Sequence, residues 1–326
     1  MRRGALVLLI ALYGSAAYAE PIKIQASKLD TFSRADPSRT EFGKLVFRGG
    51  LVLTSEDARF GGFSGIRLDA DGAGFRAVSD RANWLTGRIL YDGTKPVGVE
   101  AAEMFPVRGP KGGPVAGTRY ADVEALEIAG TTAWLGIERR HAILKADLSK
   151  GEAAPGVSVS VPKGFASLPS NAGIEALGIV PDGAEKGTLL AVAEEGFDAA
   201  GNHRAWLLAG TSSRPARALS VKRRDDYAVT DLAFLPGGDL ILLERRYRPI
   251  LSLHMRVRRI ALADIREGAV LDGEVLIEAG LTEEIDNMEG VAAHRADDGT
   301  DVLTLISDDN FSGWQRTVLL QFGLAE

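Results

Sequence analysis

The chain has 326 residues, 45% of them hydrophobic and 25% charged, with a formal net charge of −6 and no cysteine. This is a globular composition that can bury a large core, and it excludes disulfides, thiol catalysis, iron–sulfur clusters and lipid anchoring through cysteine. The acidic balance argues against a general nucleic-acid binder and favours cations over polyanions as partners.

The N-terminus reads as an export signal: Arg2 and Arg3, an apolar run over residues 5–12, and Ala17-Tyr18-Ala19 as a small-x-small cleavage pattern. Cleavage between Ala19 and Glu20 is expected, giving a periplasmic or secreted protein. The apolar run falls short of the roughly 20 residues a membrane span needs, so no stable membrane anchor is expected. Residues 20–326 are then expected to form one domain.

The 38 glycines punctuate short apolar runs, which indicates many tight turns and an all-β chain. Five segments, spaced about 55 residues apart, repeat one pattern. An apolar strand carries an acidic or small polar residue near its start, a glycine-containing turn follows, and a second apolar strand ends in an acidic residue. The pairs run from Phe63-Ser64-Gly65-Ile66 to Ser79-Asp80-Arg81, and from Val123-Glu124-Ala125-Leu126 to Glu138-Arg139-Arg140. They continue from Ile174-Glu175-Ala176-Leu177 to Glu194-Glu195, and from Thr230-Asp231-Leu232-Ala233 to Glu244-Arg245-Arg246. The last runs from Met288-Glu289-Gly290-Val291 to Ser307-Asp308-Asp309-Asn310. Further apolar strands follow each pair, which predicts a β-propeller of five four-stranded blades. The last repeat lacks an outer strand, and residues 44–53 are expected to supply it and close the ring. A sixth blade stays open if residues 22–60 hide a degenerate repeat.

In a propeller blade the innermost strand runs along the channel and the next returns, so both acidic slots reach one mouth. The expected inner ring is Glu124, Glu175, Asp231 and Glu289, with Asp80, Glu138, Glu194, Glu244 and Asp308 just behind. Clustered carboxylates repel unless a cation or arginines balance them. Ca2+ suits an all-oxygen set, to which Asn171 and Asn287 add neutral oxygens. Zinc does not fit, because His141, His203, His254 and His294 are far apart in sequence and cysteine is absent.

The bland reading makes the acid–arginine ends blade-to-blade salt bridges. Arg139 and Arg245 read that way, whereas Arg140 and Arg246, second of each pair, are free to meet phosphate oxygens. Ser64 is the non-acidic member of the inner ring. Gly62-Phe63-Ser64-Gly65 superficially matches a serine-hydrolase elbow, but Ile66 stands where the closing glycine belongs. Ser64 is therefore expected beside the substrate, at one asymmetric site.

The chain resembles the phytase-like family of exported bacterial proteins described as esterase-like. The resemblance rests on Phe60-Gly61-Gly62-Phe63-Ser64-Gly65-Ile66 with Ser79-Asp80-Arg81, and on Asp122-Val123-Glu124-Ala125. It also rests on residues 171–177, on Asp286-Asn287-Met288-Glu289-Gly290 and on Ser307-Asp308-Asp309-Asn310-Phe311. It implies a propeller that hydrolyses phosphate or related esters. The leading expectation is a periplasmic, metal-dependent hydrolase of phosphoric esters, a monomer acting on a small anionic ester. Glu124, Glu175, Asp231, Glu289, Asn171 and Asn287 would hold Ca2+, and Asp80, Glu138, Glu244 and Asp308 would orient ligands or water. Arg140, Arg246 and Ser64 would contact substrate. The alternatives are a calcium-dependent lactonase or carboxylesterase, and a non-enzymatic exported binding module.

Overall fold

Among the described residues, short apolar runs separated by glycine turns fold into 24 strands, and the only helices are four short 3-10 turns. The computed structural model describes residues 19–170, 172–248 and 252–325, and of Arg248 the backbone alone. The export signal lies outside the described residues except for Ala19, as does Asn171.

The strands form five sheets, each a blade, antiparallel throughout except that Val270–Leu271 pairs parallel with Arg217–Val221 at the edge of the third. The inner strands are Phe63–Leu68, Val123–Ala129, Ile174–Ile179, Ala228–Phe234 and Asn287–Arg295. Each packs against the inner strands of the two adjacent blades, and the fifth returns to the first. Blades press on both faces of these sheets, so strands near the axis are buried almost throughout; Leu189 to Ala193 in the third blade is one unbroken buried run. Strands farther out alternate buried and exposed positions, as in Asn83–Asp92, because only one side keeps a neighbour. Five apolar clusters fill the five blade interfaces. One, for example, sets Val78, Trp84 and Phe105 of the first blade against Val123, Leu126 and Leu135 of the second.

The ring closes as the repeat count predicts. Leu45–Thr54 pairs antiparallel with Thr317–Leu324 and completes the fifth blade. Residues 22–60, where the sequence leaves a sixth blade open, hold no blade: besides the closing strand they supply edge material. Glu20–Pro21 extends the first blade and Gln25–Leu29 extends the fifth.

One local device recurs in every blade. The inner strand carries a one-residue bulge against the second strand, which turns the extra side chain toward the channel mouth. The bulged residues are Ser64, Glu124, Glu175, Thr230 and Glu289. The fourth blade thus departs from the expected pattern: Thr230 occupies the slot assigned to Asp231. Its second strand is offset likewise. Val229 pairs with Glu244, whereas the matching positions elsewhere pair with Ser79, Ile137, Ala193 and Ser307. The residue that follows, Arg245, therefore stands where the other blades have Asp80, Glu138, Glu194 and Asp308. A one-residue offset moves a side chain to the opposite face, so neither Asp231 nor Glu244 reaches the mouth.

Glu244 is fully buried in the sheet, accepting from Arg256 Nε (2.8 Å) and from Arg258 Nε and Nη2 (2.8 and 2.7 Å). Its expected role in orienting ligands is replaced by a structural ion triad. Asp231, expected as a metal ligand, lies deeper in the channel and binds Arg67. The Arg67 guanidinium meets Asp231 through both Nη atoms (2.9 and 3.1 Å) and Glu127 through Nε (2.8 Å). It also donates to the carbonyls of Ile66, Leu177, Leu232 and Val291. One side chain thereby bonds to all five blades and fills the axis.

Candidate functional site

Above the Arg67 plug, the bulges and second-strand ends build a bowl. Eight carboxyl groups contribute: Asp80, Asp122, Glu124, Glu138, Glu175, Glu194, Glu289 and Asp308. Asp122 joins because it precedes the second blade's bulge by two residues and has a left-handed φ of 71°. Its N–H donates to the Asp80 carbonyl (3.0 Å) and its own carbonyl accepts from the Glu138 N–H (3.0 Å). Carboxylate oxygens of Asp122, Glu124 and Glu138 lie within 4.8 Å of one another, and so do those of Glu138, Glu175 and Glu194. Glu138 belongs to both sets.

The first blade shapes the wall beside them. Gly61 and Gly62 have φ of 123° and 65°, and a Cβ on Gly62 would lie 2.3 Å from Asp80 Oδ1 and 2.4 Å from the Phe311 ring. Only glycine lets this loop pass so close to the carboxyl. Asp309 fastens it by accepting from the Gly62 N–H (3.0 Å). Ser64 is buried with its hydroxyl 3.4 Å from the Gly62 carbonyl and also bonds Glu124.

Arg245 is the cation built into the bowl. It pairs with Glu289 (2.7 Å) and Glu194 (3.2 Å) and donates to Asn287 Oδ1 (2.6 Å). Asn287 Nδ2 donates in turn to Glu289 (2.8 Å). Asn287, expected as a neutral metal ligand, thus has both ends of its amide engaged, and Glu289 is matched to a guanidinium. Glu175 is the contrary case. It is 7% exposed, yet it accepts no hydrogen bond and makes no ion pair among the described residues. Asp80 Oδ1 is likewise buried without a partner.

Burial is the first cause of raised proton affinity throughout, and neighbouring carboxylates add to it. Glu124 and Glu175 are pushed well above the ordinary range. Glu138 rises to about 7, Glu289 to about 8, Asp308 to about 7 and Asp80 to about 6. Glu194 is raised less freely, because Arg245 opposes its burial. Folded carboxyls that hold protons above their unfolded values lose that stabilisation as pH rises. Without divalent cations, the melting temperature is therefore expected to fall by about 5 °C or more between pH 4.5 and pH 8. Thermal denaturation in chelator reads it directly, and a flat profile would show that the bowl is already neutralised.

The ligating atoms that the bowl offers are oxygens, with Asp80 Oδ1 and the Glu175 carboxyl unpartnered among the described residues, which is the donor chemistry of a hard divalent cation such as Ca2+. Of the residues singled out in the sequence, Glu124, Glu175, Glu138, Asp80, Asp308 and Ser64 lie at this mouth. The two arginines expected at the substrate do not. Arg246 shares the strand face of Glu244 rather than that of Arg245, and stacks 4.8 Å from the Tyr227 ring. Arg140 is exposed in the turn Glu138–Arg140 and stands 5.1 Å over the Tyr120 ring.

A family model described as phytase-like, with esterase-like activity of phytase, matches residues 58–311, a span that contains the whole bowl. No curated protein matches the sequence. Among solved structures, one titled "Structure of U3-55K" is similar over 77% of this chain and 79% of its own, at 13% identity and a TM-score of 0.37.

Proposed function

The chain belongs to the phytase-like family, and from that premise we propose that it is an exported, cation-dependent hydrolase of phosphoric esters. The observation that carries the reading is the convergence of Asp122, Glu124, Glu138, Glu175 and Glu194 on a common space. A divalent cation bound there would offset phosphate charge and lower the pKa of an attacking water. Asp122, Glu124, Glu138 and Glu175 would hold it, with Glu194 turned toward them from its ion pair with Arg245. Hydrolysis forms a phosphorus–oxygen bond from water, breaks the ester phosphorus–oxygen bond, and returns a proton to the departing alcohol. Asp80 and Asp308, at about 6 and about 7, suit that proton traffic near neutral pH. Ser64 fixes Glu124 from the adjacent blade. Arg140, exposed in the turn Glu138–Arg140, would meet anionic parts of a substrate extending beyond the bowl. The substrate would be a small anionic ester, the active form a monomer, and the location the periplasm after cleavage following Ala19.

The test uses the mature protein with Ca2+ or chelator, against phosphate monoesters, lactones and carboxylic esters. The expected outcome is calcium-dependent phosphate release together with a calcium-dependent rise in melting temperature. Hydrolysis of lactones or carboxylic esters alone would move the reading to the other ester class. No hydrolysis and no stabilisation would overturn it.

A further inference from the structure

We infer that Arg245 is a positioning residue that stands in for a second metal ion and confines the exchangeable cation to the Asp122–Glu124–Glu138–Glu175 side of the bowl. The inference rests on the cation reading above and adds to it a stoichiometry and an internal boundary.

Four blades place a carboxylate at the end of the second strand, and the fourth places Arg245 at the same ladder position. A planar, permanently charged guanidinium can serve two carboxylates at once. Arg245 does so with Glu289 and Glu194, and it also takes Asn287 Oδ1, which is the neutral oxygen best placed to ligate beside Glu289. That side is thereby satisfied without an ion. Glu289 belongs to neither of the two close oxygen sets.

The opposite side has no direct ion pair of this kind: Arg245 reaches Glu175 only as a longer-range attraction, weaker than those to Glu289 and Glu194. Glu175 is 7% exposed and has no hydrogen bond or ion pair among the described residues, although it is aimed at Glu138 and Glu194. Glu138 receives one long backbone N–H, from Gly173 at 3.3 Å. Asp122 is paired with Arg139 only at the exposed outer edge. An unpartnered buried carboxylate facing further carboxylates leaves one cation's worth of charge unmet, and Arg245 has already met the rest.

Equilibrium dialysis with metal analysis on the mature protein tests this. Wild type should bind one Ca2+ per chain. Arg245→Gln, which frees Glu289, Glu194 and Asn287 Oδ1, should bind two, and Arg245→Lys should return to one. In the wild-type background Glu175→Gln should weaken calcium binding about tenfold or more, while Glu289→Gln should change it by less than about twofold. This pair keeps the proposal testable if Arg245→Gln does not fold. A wild type that binds one Ca2+, with Arg245→Gln also binding one or Glu289→Gln losing as much as Glu175→Gln, overturns the role of Arg245 and leaves the cation reading standing. Two ions in wild type do the same. A wild type that binds no calcium overturns both.

Discussion

Arg67→Met is expected to destabilise the protein by about 3–5 kcal/mol, enough to unfold much of a marginally stable population. The substitution keeps a long side chain, so the loss is not chiefly one of volume. It strips Asp231 and Glu127 of their counter-charge inside the channel and leaves the carbonyls of Leu177, Leu232 and Val291 without this donor. Asp231 is entirely buried, and even with Arg67 present its carboxyl is held up to about 6 by desolvation. Adding Asp231→Asn should recover part of the loss, because it removes the unpaired buried charge and its one amide oxygen can still accept from either the Leu232 or the Val291 N–H, which bond different oxygens of the carboxylate. The double-mutant cycle in urea isolates the pair. A single-mutant cost below about 1 kcal/mol would mean that the guanidinium does not tie the blades together.

Glu138→Gln is expected to separate stability from activity. Glu138 belongs to both close carboxylate sets, so its loss should weaken calcium binding about tenfold or more and lower kcat/KM for phosphate esters by about 100-fold. The same change should stabilise the cation-free protein. In wild type the carboxyl titrates at about 7, so at pH 8 it is charged, buried and surrounded by other carboxylates. The neutral amide removes that repulsion while its oxygen can still accept from Gly173. The gain should reach a few degrees in melting temperature at pH 8 and vanish by pH 5, where wild-type Glu138 already carries its proton. A variant that is less stable at both pH values and fully active would remove Glu138 from the site. Opposite signs in the two measurements are the signature of a residue kept for its charge.

Much of the fold is legible because it is periodic. The five apolar pairs with their turns specify blades, and the unpartnered run over residues 44–53 specifies where the ring closes. The acidic slots are legible for the same reason in the blades that contain Glu124, Glu175 and Glu289. The fourth blade is misread because Thr230 and Asp231 are adjacent. Alignment by charge selects the aspartate, whereas the backbone bulge selects the threonine. Bulge position is a property of the ladder between two strands and leaves no distinct mark in either one. Glu244 and Arg245 follow from the same offset, and the resemblance of Glu244-Arg245-Arg246 to Glu138-Arg139-Arg140 conceals it. Arg67 carries one visible signal, a lone charge in the apolar strand Phe63–Leu68. Its partners are distributed over every other repeat, so nothing near it in sequence identifies the plug.

Closure by Leu45–Thr54 against Thr317–Leu324 also orders the assembly of the molecule in time. The strand that completes the fifth blade is the first long one to emerge, and its partner is nearly the last. Until both are present, Leu51, Leu53 and Leu319 are not in place against Phe63, Ile66 and Leu85 of the first blade. The most non-local pairing in the chain is therefore also the one that seals its core. Folding to the native ring must wait for the C-terminal strand however early the individual blades form.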